Sequence, residues 1–496
     1  MTTLVWFRED LRTADHLPLR QAAAWAREAG DSESGGGVVA LFVLEDARAA
    51  RTRPLGAASK WWLHHSLTRH REKLAELGIP LFVRAGDPRT IVPELAADVG
   101  ATRAVWHDRY HQPLVELDAQ VREELEKTLA GPAEIRTYEG HYLTEPGSIQ
   151  TNDHKTFKVY TPFARRAREV LEAAGVGGRL GDPPQPVGDG ARLELPTGAG
   201  KVEELGLLDT ERDWAAGFRE AWQPGEDGAH ERLARFLDHQ GQFGDYATRR
   251  DFPAVPATSN LSPHLRFGEI SVARLWVAAE DALAHEEAEE KPMRTFQQEL
   301  LWRDFAAHRL AVLPDMARTN VRRQFDNFPW AWAPGPDPQD PMQLPEAEHA
   351  EQLREWQRGL TGVPLVDAGM RELWHTGTMH NRVRMVVGSW LTKNLGIHWR
   401  HGEEWFWDTL VDADPASNPF NWQWVAGCGD DASPYFRIFN PLTQEEKVDP
   451  DAEYVKRWVP ERFTPAYPEP QVDVKESRKT ALAAYEDVKA EARVVG

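Results

Sequence analysis

Cysteine is almost missing: Cys428 is the single one in 496 residues. That excludes an intrachain disulfide and a four-cysteine iron–sulfur cluster, and it fits a reducing cytoplasm. Basic residues are also short, with Lys plus Arg at 58 against 78 Asp plus Glu and a net charge of −20. A surface that coats nucleic acid generally is therefore excluded, and any such contact must be local. The opening TTLVWFREDLR meets charge too early for a secretory leader or a membrane span, so no membrane partner is expected. No GxGxxG or Walker pattern opens a helix in the first third of the chain, which leaves a Rossmann or P-loop nucleotide site unsupported. No metal site is expected.

What is present begins with length, since 496 residues exceed one compact core and imply two or more domains. Over 1–140, short apolar strands at 4–7, 38–44, 81–84, 104–107 and 135–138 alternate with helices near 17–29, 58–77, 88–98 and 114–130. That alternation predicts an α/β domain, a doubly wound and mostly parallel five-stranded sheet covered on both faces. Residues 141–220 lose periodicity and gain Pro and Gly, as in GDPPQPVGDGARLELPTGAG, and read as a surface connection holding one short helix at YTPFARRARE. From 221 to 468 the pattern is helical almost throughout, and 469–496 reads as a loosely held tail.

Chemistry concentrates between Thr376 and Pro441. The 379–395 stretch has helical apolar spacing, with Asn381, Arg384 and Met385 at i, i+3 and i+4 on another face where they can converge on one ligand. Arg384 needs an anion, and Asp412 and Asp414 are the nearest candidates. The helix over 293–313 sets Glu299, Trp302 and Arg303 at the same spacing. One carboxylate beside one flat aromatic suits a base lifted out of DNA. Thr258, Ser259 and Ser262 precede a helix opened by Pro263, a reasonable anion seat or an ordinary N-cap. Twenty tryptophans against nine tyrosines is an unusual ratio, and Trp390, Trp399, Trp405, Trp407, Trp422 and Trp424 crowd into this region. Most indoles are apolar bulk, yet indole is also easily oxidised by one electron, so a file of them can carry charge from a redox cofactor.

TGTMHNRVRM, WRHGE, LVDADPASN, WQW and PYFRIFNP, together with ELLWRDF and the opening WFREDLR, resemble the photolyase/cryptochrome family, closest to its class I cyclobutane pyrimidine dimer photolyases. The resemblance implies an antenna-chromophore domain over 1–140 and a large all-α FAD-binding domain over 221–468. It implies a carbon–carbon lyase, a deoxyribodipyrimidine photo-lyase, that opens pyrimidine dimers in UV-damaged DNA by electron transfer from photoexcited, reduced, anionic FAD. Cofactor contacts would come from Tyr246, Thr258, Ser259, Leu261, Ser262, Arg303, Arg384, Asp412, Asp414 and Asn418. Asn418, a neutral amide, would hold flavin N5 without supplying a proton. The lesion would meet Arg250, Glu299, Trp302, Asn381, Arg382, Met385 and Trp424. Trp422, Trp399 and Trp330 would form the inner, middle and outer members of an electron-transfer triad, with Trp332 a rival for the outer place. Arg250, Arg318, Arg322, Arg323, Arg382 and Lys393 are candidates for a basic rim.

An antenna pigment, deazaflavin or folate, is implied as well. HDRYHQP lacks the acidic residue that folate users show near strand four, which favours deazaflavin or an empty site. Asn381 and Met385 stand where repair enzymes for (6-4) photoproducts carry histidines, which favours the cyclobutane lesion. Two departures from the family pattern are Thr378, in place of a lesion-side Trp, and Pro419, Phe420 and Asn421 where small residues are common. A monomeric cytoplasmic enzyme is expected. The alternatives are a cryptochrome-type blue-light photoreceptor without repair activity, and a nucleotide-binding module with a helical scaffold.

Overall fold

In a computed structural model, residues 1–29, 37–129, 134–187, 200–208, 213–238, 244–284, 290–331, 347–432 and 436–495 are described. Trp332, most of the HEEAEEK run and part of the Pro/Gly-rich connection lie outside them. Strands β1 (Thr2–Phe7), β2 (Gly37–Glu45), β3 (Leu81–Gly86), β4 (Ala101–His107) and β5 (Glu134–Tyr138) form one sheet in the order β3-β2-β1-β4-β5, every pair parallel. Alternation along β1 decides the layering. Val5 and Phe7 pack with the helices Leu17–Ala29 and Ala57–Glu76, while Leu4 and Trp6 pack with Pro88–Asp98 and Gln112–Thr128. The doubly wound α/β expectation therefore holds, and the strand order reverses between β1 and β4, where such sheets open a crevice.

The connection after β5 is more ordered than its composition suggests. Tyr160–Ala174 is a helix whose Tyr160, Phe163 and Leu171 share a core with Leu300, Leu301 and Phe305 of the helix Glu290–Val312. Buried Asp304 accepts from the Thr144 backbone N–H at 2.7 Å and its hydroxyl at 3.0 Å. Burial, opposed by Arg303 and those bonds, still leaves its pKa raised to about 6.

The rest is helical, and two details differ from expectation. The helix expected over 379–395 is α-helical only across Asn381–Ser389, then widens into a π-turn at Trp390–Asn394. Such a turn rotates its residues off the α-helical face, and Lys393 within it is 3% exposed. The tail is a helix, Val474–Val495. Ala481, Ala484, Tyr485 and Val488 fall at i, i+3, i+4 and i+7, an apolar stripe that docks the segment. Tyr485 stacks on Phe436 at 4.4 Å, and Asn394 Nδ2 donates to Ser477 Oγ at 2.9 Å. Among the described residues no helix is long and apolar enough to cross a membrane.

Candidate active site

A cavity of about 760 Å³ lies within the helical half. Glu299, Trp302 and Arg303 reach it from Glu290–Val312, and Asn381, Arg382, Arg384 and Met385 reach it from Asn381–Ser389. The two triplets chosen for i, i+3, i+4 spacing thus face one space. Asp412, Asp414, Asn418, Trp422 and Trp424 join them from the 410–416 loop and the helix Ser417–Ala426, together with Tyr246, Arg250, Ser259, Leu261 and Ser262. Thr258 is the exception, set just outside with its hydroxyl on Asn260 Oδ1 at 3.2 Å.

The floor is organised by buried carboxylates. Asp412, 7% exposed in its side chain, accepts from Arg384 Nη2 at 3.0 Å and from Ser262 Oγ at 2.7 Å. Asp414 does something else: its Oδ1 accepts from the backbone N–H groups of Ala416 and Ser417 at 2.9 and 2.7 Å, in the turn that leads into the following helix. The partner expected for Arg384 is therefore Asp412 alone. Asn418 Nδ2 donates to the Glu403 carboxylate at 2.8 Å and the Glu403 carbonyl at 3.0 Å. Both amide hydrogens are engaged below the floor, so the Asn418 oxygen is the atom left for the cavity. Arg303 lines the wall, but its donors meet the carbonyls of His141 at 3.0 Å and Leu265 at 3.5 Å. It ties the floor to the chain leaving β5 rather than offering a free guanidinium.

The mouth carries pairs of another kind. Arg250 Nη1 donates to Glu299 at 2.6 Å and Arg382 Nη2 to Asp251 at 2.7 Å. Burial pulls the Arg250 pKa down, but the Glu299 bond together with the charges of Tyr246, Glu299 and Asp251 leaves the group raised. At Asp251 burial pushes upward, but the Arg382 bond together with the charges of Arg382, Arg250 and His380 leaves that carboxyl lowered. Trp302 is stacked on Tyr160, centroids 3.6 Å apart and planes at 8°, leaving its other side toward the cavity and Phe420. Thr378 is not on the wall; its hydroxyl takes a 3.4 Å bond from Arg384.

Four rim candidates do not line this cavity. Lys393 is buried, with Nζ on the Arg437 carbonyl. Arg322 donates to the Gly427 carbonyl at 3.0 Å, Arg323 pairs with Asp326, and Arg318 lines a different pocket. None of the three lines the 760 Å³ cavity. Sequence reading missed Arg437, which does line it, exposed and near the Trp424 ring. Its signal was a lone cation inside the apolar PYFRIFNP.

Trp422 forms part of the wall, and Gly402 makes room for it: a Cβ there would run into the indole. Trp399 is fully buried, its Nε1 donating to Asn320 Oδ1 at 2.8 Å. Trp330, expected as the outer member, is only 8% exposed and donates to the Thr392 carbonyl at 2.8 Å. His398 lies between the last two, 5.1 Å from Trp330 and 5.4 Å from Trp399 by centroid.

A second pocket of about 340 Å³ opens at the carboxyl ends of β1, β2 and β4, lined by Phe42, Leu44, Arg51, Arg53, Lys60 and Trp407 among others. Beneath the crevice, buried Asp10, His16 and His107 form a group close enough to hold a metal ion. Both imidazoles bond one Asp10 oxygen, at 2.9 and 2.7 Å, and His16 Nδ1 accepts from the Leu19 N–H, so their ligand atoms are largely engaged with protein.

Residues 3–186 match the family model described as DNA photolyase, and 296–465 match the FAD binding domain of DNA photolyase. A deoxyribodipyrimidine photo-lyase of Agrobacterium fabrum is 40% identical, covering 98% of each chain. A bacterial class III photolyase of Agrobacterium tumefaciens superposes with a TM-score of 0.84 at 39% identity, over 99% of this chain and 98% of that one. That neighbour is a class III photolyase, whereas the motifs are read as closest to class I. A cryptochrome of Synechocystis is similar with a TM-score of 0.77 at 26% identity, over 97% and 99% of the chains.

Proposed function

The chain belongs to the photolyase/cryptochrome family, and from that premise we propose that it is a light-driven DNA repair enzyme, a lyase that splits cyclobutane pyrimidine dimers with FAD as cofactor. One observation carries the reading: Glu299, Trp302, Asn381 and Met385 share a single cavity with Arg384 and Asn418. A lesion and a flavin ring would thereby be neighbours. The residues suit FAD, since the volume falls in the range of about 300–1,000 Å³ usual for cofactor sites. Ser259, Leu261 and Ser262 would take the pyrophosphate end, with Thr258 at its edge. Arg384 and the Asn418 oxygen would meet the ring, and Tyr246 would close the side.

Reduced FAD, when bound and excited by light, supplies the electron that opens the cyclobutane ring and receives it back. Everything else is holding and shielding. Trp302 offers one indole face to a base, Glu299 and Asn381 offer polar atoms to its edge, and Trp424 and Met385 exclude water. No histidine is among the described residues lining the cavity, which supports a lesion repaired without an imidazole acid. Arg250, Arg382 and Arg437 would meet phosphates of UV-damaged DNA. Trp422, Trp399 and Trp330 would refill the flavin with electrons. The 340 Å³ pocket would hold an antenna chromophore, deazaflavin or folate, and the protein would act as a cytoplasmic monomer.

The test is direct. The purified protein should show flavin absorbance, and dimer-containing oligonucleotide under blue light should regain base absorbance. Photoreduction without that recovery would select a photoreceptor of the cryptochrome kind, which the buried tryptophans also suit. Absence of flavin would select a binding module.

A further inference from the structure

Glu403 is fully buried beneath the floor of the cavity, on the helix Trp399–Thr409. A carboxylate so placed must be paired or it takes up a proton. Its charge partner comes from the other half of the molecule, about 350 residues earlier. Arg53 Nη1 donates to Oε2 at 2.7 Å and Arg53 Nη2 donates to Oε1, a two-pronged contact. Asn418 Nδ2 donates to the same Oε1 at 2.8 Å.

Arg53 is itself fixed. Its guanidinium lies 3.7 Å over the Trp407 ring, and Trp407 Nε1 donates to the Pro54 carbonyl at 2.9 Å. The Ala57 N–H donates to Asp408 Oδ1 at 2.8 Å. Gly56 lies so close to the Trp407 carbonyl that a Cβ would overlap it. Four contacts clamp the 53–57 loop onto one helix, and Arg53 is the one that reaches its buried charge.

We propose that Arg53 is a positioning residue for the flavin site: by fixing both oxygens of Glu403, it holds the Asn418 amide with its NH₂ on Oε1 and its oxygen toward the cavity. Without the guanidinium, the Glu403 carboxylate loses the two donors that fix its plane and keeps only Asn418. It is then free to turn, so Asn418 is no longer held with its NH₂ downward and can turn that group toward the cavity. An oxygen at that place favours a ring nitrogen that carries hydrogen, as N5 of reduced flavin does; an NH₂ favours the bare nitrogen of oxidised flavin. The inference rests on the flavin reading for its consequence, and on the protein alone for its geometry.

The experiment separates the two. In flavin-free protein labelled with ¹⁵N-asparagine, the Asn418 side-chain amide, assigned by its loss in Asn418→Ser, should exchange its hydrogens slowly. Arg53→Met and Glu403→Gln should each speed that exchange at least tenfold, with Arg53→Lys between. In FAD-loaded protein, Arg53→Met should lower the preference for reduced over oxidised flavin about tenfold, which is about 30 mV for a two-electron couple. Exchange within twofold of the parent in both Arg53→Met and Glu403→Gln, with both folded, overturns the assignment. Slow exchange in a protein that takes up no FAD would sink the flavin reading and leave the role of Arg53 standing.

Discussion

The two ends of the cavity use the same chemistry, a guanidinium on a carboxylate, in opposite settings. At the mouth the Arg382 and Asp251 side chains are 39% and 38% exposed. On the floor Glu403 is wholly enclosed and Asp412 nearly so. Exposed pairs contribute little and exchange partners readily, so the mouth can surrender its arginines to phosphate without losing shape. Buried pairs are costly to break. The floor is therefore a fixed surface and the mouth a replaceable one, a division suited to a permanent cofactor and a transient polyanion.

Four variants press on that contrast. Glu403→Ala should cost about 3–5 kcal/mol in urea unfolding, the usual range for stripping one partner from a buried pair. A loss under about 1 kcal/mol would erase the distinction between floor and mouth. Lys393→Met examines a buried amine with no acid partner among the described residues, where burial lowers the pKa to about 7. Between about pH 7 and 10.5 the unfolded chain binds the proton that the folded chain has released, so parental stability rises with pH across that window and is lowest below it. The variant should gain up to about 5 kcal/mol at pH 6, from roughly 1.36 kcal/mol per unit, and the gain should shrink by pH 9.

Trp302→Ala should weaken binding of dimer-containing oligonucleotide by about 1–3 kcal/mol, the worth of one stacked base. Fluorescence anisotropy reads it, and an undamaged oligonucleotide should bind with little change. Arg382→Ala should alter stability by no more than about 0.5 kcal/mol. It should flatten the plot of log K against log salt by about 0.7–0.9. An unchanged slope would mean that Arg382 stays with Asp251 when DNA is bound.

Much of the site was readable because helical spacing is local. Glu299 with Trp302 and Asn381 with Arg384 needed only a period of 3.6 to be put on shared faces, and the βαβ alternation located all five strands with ends within three residues. The failures came where local pattern and tertiary contact part company. Lys393 belongs to an apolar-spaced helix, but the π-turn carries it inward. Asp414 reads as a counterion until its bonds to the Ala416 and Ser417 N–H groups are seen. The short helix at Tyr160 was legible, but not its docking, because its apolar residues pack on Leu300, Leu301 and Phe305 of a distant helix. Arg53 gave no signal at all, since nothing in TRPLG announces a carboxylate in the other half of the chain.

The stack of Tyr160 on Trp302 bears on engineering. The indole proposed to stack a base leans on a ring from the stretch joining the two halves, and that stretch is tied in turn to Asp304 through Thr144. A chimera that replaced the α/β half and cut after β5 would discard the backing of that cavity wall. A graft that keeps residues 142–176 with the helical portion, and restores an arginine at position 53, is the one that should retain a shaped receptor.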